Sequence, residues 1–99
     1  MSFVTTQPEA LAASASTLQG VGSAVGTAST AAAVPTTAIV PAAADEVSAL
    51  TAVQFAAHGQ LYQAVSAQAA AIHEMFVEAL STSSSSYAAT EAANAAAAR

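Results

Sequence analysis

Pro35 and Pro41 stand six residues apart, with Thr36, Thr37, Ala38, Ile39 and Val40 between them, and the chain's third proline, Pro8, lies near the N-terminus. Proline lacks a backbone N–H, its ring crowds the preceding turn, and the residue before it is pushed towards extended conformations. The pair therefore disfavours a continuing helix and divides the chain into two long, alanine-rich runs. These predict a first helix over about 8–34, a turn over 35–41 and a second helix over about 42–80. Pro8 suits a first helical position, where its missing N–H has no intrahelical partner. Glu9 places negative charge at the positive end of the first helix dipole, and Asp45 and Glu46 do the same for the second. Two long helices with a short connection read as an all-α fold, an antiparallel two-helix hairpin.

Hydrophobic residues form 55% of the chain, yet 31 of its 99 residues are alanine, so large apolar side chains are few. Burying one large side chain contributes roughly 1.5–3 kcal/mol. Ordering each residue's backbone costs about 1–2 kcal/mol. A single domain of this size is near the limit for a self-sufficient core. The expectation is a marginal monomer that needs a partner. Net charge is −5, with Arg99 the one basic residue, which sets nucleic acid aside and disfavours anionic lipid surfaces, leaving membrane association only to a complex. There is no cysteine, hence no disulfide and no thiolate metal site.

In the first helix Leu11, Leu18 and Val25 recur every seven residues, with small residues at 14/15, 21/22, 28 and 32 completing a narrow seam for a close neighbour. Gly20, Gly22 and Gly26 each cost about 1 kcal/mol relative to alanine in a helix interior, so packing must hold this stretch. The second helix carries two stripes. One runs through Phe55, Tyr62, Ala69 and Phe76, interleaved with His58, Val65, Ile72 and Ala79. The other runs through Val47, Leu50, Ala57, Leu61, Ala64, Ala71 and Met75, roughly 100–120° away around the helix. A hairpin uses one such seam, and the spare one points to a partner. Phe55, Tyr62, Val65, Ile72 and Phe76 are the expected anchors of that interface.

The ends read differently. Residues 1–7 form a lead-in without the basic region and compact apolar core of a signal peptide. Neither uncharged stretch, 10–44 or 47–72, has the run of about 20 predominantly apolar residues that a spanning helix needs. Ser81 to Ser86 reads as a flexible low-complexity linker, and Tyr87–Arg99 as a tail that is disordered, or ordered only when bound. The expected organisation is a lead-in over 1–7, a hairpin over 8–82 and a flexible tail over 83–99.

Catalytic and metal chemistry find little support. His73-Glu74 opens a zinc-protease pattern, but the second histidine it requires is replaced by Val77. His58, on an apolar stripe, reads as a packed side chain. There is no Gly-x-Ser-x-Gly elbow, no paired carboxylates and no phosphate loop, so a non-enzyme without metal or cofactor is expected. Gly22-Ser23-Ala24-Val25-Gly26 matches Gly-x-x-x-Gly, which in a hairpin lets two backbones approach.

Pro8-Glu9 near the start, an alanine-rich hairpin with a proline-flanked turn, and Tyr87-Ala88-Ala89-Thr90-Glu91 after the second helix occur in one order. In that arrangement the whole chain resembles the PE family, named for its Pro-Glu pair, whose members are mycobacterial substrates of type VII secretion. It is similar to the short members without a long C-terminal extension. The resemblance implies a heterodimer with a PPE protein, in which the hairpin joins two PPE helices in an elongated four-helix bundle. It also implies that Tyr87 and Glu91 are the defined positions of a Tyr-x-x-x-Asp/Glu secretion signal. Export by the type VII machinery to the cell envelope, cell surface or outside, from the cytoplasm, would follow. A rival expectation is a cell-envelope permeability or nutrient-uptake component acting with a PPE partner in the outer membrane. A homodimeric four-helix bundle is the third.

Overall fold

The computed structural model describes residues 4–99, so of the lead-in, positions 1–3 lie outside the described residues. Two helices follow, α1 over Pro8–Thr37 and α2 over Glu46–Ala97, and among the described residues there is no strand. Gln7 caps α1: its carbonyl accepts from the amides of Ala10 at 3.1 Å and Leu11 at 3.4 Å. Pro8 therefore takes the first helical position and Glu9 lies in the first turn, as the sequence predicts.

α1 runs one turn past its expected end and holds Pro35 within it. Pro35 offers no amide to the carbonyl four residues back, and side-chain hydroxyls support the neighbouring carbonyls instead. Thr36 Oγ1 donates to Ala32 O at 2.6 Å and Thr37 Oγ1 to Ala33 O at 2.7 Å. The Ala38 amide still reaches Val34 O at 2.9 Å.

α2 starts at Glu46, four residues later than expected, because Asp45 is its N-cap. Asp45 Oδ1 accepts from the Ser48 amide and Oδ2 from the Ser48 hydroxyl, both at 2.8 Å. The amide bond holds the Asp45 carboxyl below its usual range, reinforced by the hydroxyl. At the other end the sequence reading is corrected. Ser81–Ser86 is no linker and Tyr87–Ala97 no separate tail, since α2 passes through both without a break. Serine is only a moderately poor helix former. Here one of the serines is buried against α1, and Ser85 and Thr90 return hydroxyl bonds to the carbonyls four residues back, at 3.3 and 3.0 Å.

The chain divides into two compact units, to each of which both helices contribute. One joins the chain up to Gly22 with His73–Arg99. Within it Ser84 Oγ donates to Pro8 O at 2.7 Å, and His73 Nε2 lies 2.7 Å from Leu18 O. A carbonyl only accepts, so the ring proton is on Nε2. The other unit is Ser23–Ile72. Within it Ser29 Oγ meets Ser66 Oγ at 3.0 Å, and Gln63 Nε2 donates to Ser29 O at 3.1 Å. In each unit partners later on α1 meet residues earlier on α2, which is the antiparallel hairpin.

The seam between the helices is made mostly of small and polar side chains, with Leu11, Leu18, Val77 and Leu80 among them. On α1, Pro8, Leu11, Ala15, Leu18, Gly22, Ser29 and Ala32 are buried or half-buried; on α2, Ala52, Ala56, Gly59, Gln63, Ser66, His73, Val77, Leu80 and Ser84 are. Both sets follow steps of three and four residues, with one full seven-residue step each (Gly22 to Ser29, Ser66 to His73), the register of a coiled-coil seam. Gly59 allows the closest approach: a Cβ there would overlap the Thr36 carbonyl oxygen and stand 2.9 Å from its carbon. Gly22 faces the His73 ring, which an added Cβ would meet at 2.8 Å.

Candidate partner face and the Tyr87–Glu91 element

The seam takes in Leu11, Leu18, Val77 and Leu80 and leaves most of the other large apolar side chains exposed. Among the described residues the buried apolar side chains are those of Pro8, Ala15 and Ala52. Within Ser23–Ile72, the expected anchors Phe55, Tyr62, Val65 and Ile72 are 55–64% exposed, and in the other unit Phe76 is 54% exposed. The second stripe is equally open at Val47, Leu50, Leu61 and Met75. Neither stripe is the hairpin's own seam, so the hairpin occupies a third face of α2. Periodicity of large residues does not reveal that face, because it is lined mainly by alanine, glycine, serine and glutamine, with His73, Val77 and Leu80 only towards its later turns. Its signal was the three-four spacing of small residues, matched to the Leu11–Ala15–Leu18–Gly22 run on α1. At the connection, Ile39, Val40, Val47 and Phe55 help line an open hollow of about 260 Å³.

Tyr87 and Glu91 are both helical, one turn apart on a shared face, and Tyr87 is 46% exposed. Glu91 has a specific role in the fold. Its Oε1 accepts from the Thr6 amide at 2.7 Å and from Thr6 Oγ1 at 2.9 Å. The Thr6 amide, and then the hydroxyl, hold the Glu91 carboxyl below the usual glutamate range. Ser84, two turns earlier, is 8% exposed and anchors Pro8. The sequence does not expose these two residues as anchors, since a serine run and a distant threonine carry no local pattern.

His73 is a seam residue bound to a backbone carbonyl, and among the described residues no three His, Cys, Asp or Glu side chains gather as a metal site. No helix is long and apolar enough to cross a membrane, among the same residues.

Fold and surface together define an alanine-rich α-hairpin most of whose large apolar side chains face outwards. The chain belongs to the PE family, whose profile matches residues 4–94. It is 64% identical over 98 residues to the PE family protein PE13 of Mycobacterium tuberculosis, covering 99% of each chain. It is also 64% identical over 96 residues to PE-PGRS family protein PE_PGRS33 of the same species, which is 97% of this chain and 20% of that protein. A third relative from that species, named Esterase PE16, is 56% identical over 96 residues, 97% of this chain and 18% of that protein. The chain thus spans nearly all of the first relative and about a fifth of the other two.

Proposed function

We propose that this hairpin is a non-catalytic subunit that pairs with a PPE protein and carries Tyr87 and Glu91 as a type VII secretion signal to the cell envelope or beyond. The observation that carries the reading is the inversion of the surface. Phe55, Tyr62, Val65, Ile72 and Phe76 are each more than half exposed while the seam buries alanine methyls. Fully burying side chains of that size is worth roughly 1.5–3 kcal/mol each, which a helical partner would recover and the isolated hairpin does not. Two partner helices laid on this face would complete a four-helix bundle with coiled-coil-like packing.

Light scattering coupled to size exclusion, on the chain by itself and co-expressed with PPE proteins, tests the pairing. A stable one-to-one complex, with the lone chain aggregated or loosely helical, is the expected result. A lone monomer or homodimer that melts sharply and ignores every candidate would overturn it. Partition of the assembled complex into detergent would favour the envelope-permeability role. Export of a Tyr87→Ala variant at the parental level would remove the signal assignment. Short-chain acyl esters should show no turnover above background with the purified complex, and hydrolysis lost on substituting any one serine would refute the non-catalytic assignment.

A further inference from the structure

We propose that Glu91 is a positioning residue: it ties the Thr6–Pro8 segment along the Tyr87 face of α2, so that the export element is a composite of the N-terminal segment and the end of α2. This rests on the export-signal reading above and specifies how the signal is built. Two anchors define the path of the segment. Ser84 Oγ holds Pro8 O at 2.7 Å, and Glu91 Oε1 holds the Thr6 amide and hydroxyl at 2.7 and 2.9 Å. On α2 the anchors are seven residues apart, about 10 Å along the axis. Thr6 and Pro8 are two residues apart, a span of about 7 Å when extended. The segment therefore follows the helix between the anchors and passes the turn that carries Tyr87. Tyr87 shares their register, one step of three after Ser84 and one step of four before Glu91, and is 46% exposed.

A carboxylate that already accepts two bonds from its own chain is not a bare charge awaiting a receptor. Such charge-assisted bonds are short and stronger than neutral ones. A receptor that engages Tyr87 meets Thr6 and Gln7 on the same stretch of helix, and the spacing of the two motif residues places the carboxylate where the segment arrives.

The test uses the full chain in complex with its PPE partner, in a host with an active type VII system. Four variants are compared: Thr6→Pro, which removes both donors, Thr6→Ser, which keeps both, Glu91→Ala and Tyr87→Ala. Complex formation by size exclusion confirms that each is assembled. Thr6→Pro should reduce the exported fraction as Glu91→Ala does, roughly tenfold or more, the scale of losing a hydrogen bond to a charged group. Thr6→Ser should export like the parent, and the Thr6→Pro, Glu91→Ala double variant should be no worse than either single one. Amide hydrogen exchange at Thr6 should accelerate in Glu91→Ala. Parental export of Thr6→Pro alongside failure of Glu91→Ala would show that Glu91 is read directly, overturning the composite while the signal reading stands. Parental export of both Tyr87→Ala and Glu91→Ala would overturn the signal reading and the composite with it.

Discussion

Single residues in this hairpin are decided by how near the opposite helix comes. Gly59 abuts Thr36 backbone, which cannot rotate away, so Gly59→Ala should lower stability by about 1–3 kcal/mol, the scale of overpacking. Gly20 has nothing within 4 Å of a built Cβ, so Gly20→Ala should raise stability by about 1 kcal/mol through helix propensity. Thermal melts of the two variants should move in opposite directions. Gly22 lies between these cases, because the group it would strike is the His73 ring. Gly22→Ala should displace that ring from Leu18 O, and its cost should fall when His73→Ala is already present, a coupling that a double-mutant cycle measures. Asp45 and Glu91 respond to acid with one sign. Each carboxyl is held below its usual value by hydrogen bonds present in the fold. The stabilisation they provide is complete above the ordinary carboxylate range and is lost as pH falls through the lowered values. Amide shifts of Ser48 and Thr6, followed by NMR on acidification, should report the release of the N-cap and of the N-terminal segment.

At the scale of the elements, the main difference from sequence expectation is α2 beyond Leu80. Low-complexity serine suggests a linker because serine competes for backbone bonds and buries little. In the hairpin, however, a small hydroxyl fits a seam made mostly of small side chains. The α1 N-terminus supplies a carbonyl for Ser84 to bond. Ser85→Pro would remove one helical amide and crowd the carbonyl of Ser81, at a cost of about 3 kcal/mol. It should strip exchange protection from the amides following it, whereas a true linker would accept proline with little change. The mirror case is Pro35. It ends a helix in principle, but near a C-terminus only one bond is lost, and Thr36 and Thr37 hydroxyls occupy the adjacent carbonyls.

For the whole molecule, the outward apolar residues set the behaviour. Ile72 is 63% exposed and far from the small-residue seam, so Ile72→Asp should leave helicity within the parental range. The same change should weaken the proposed PPE complex by at least tenfold, since it places an unpaired charge in a desolvated contact. Circular dichroism and a titration of the two partners read these effects separately. A collapse of helicity in Ile72→Asp would instead place that face inside the hairpin.

The local chemistry was legible in the chain itself. Pro8 and Glu9 at a helix start, acidic residues at the start of α2, and a break between two long helices, placed a few residues too early, all follow from backbone rules that act within a few residues. The apolar stripe that carries the five proposed anchors was legible too, because large apolar side chains at helical spacing stand out in a sequence, and the structure leaves them exposed. The tertiary structure alone decided which face the two helices share, since a seam mainly of alanine, glycine and serine has little hydrophobic signature and is recognised only when its spacing meets a complementary surface. It alone decided that the serine run is helix. It alone brought Thr6 to Glu91, 85 residues away, a contact that no local propensity encodes and that exists only because an antiparallel hairpin returns the end of α2 to the start of α1.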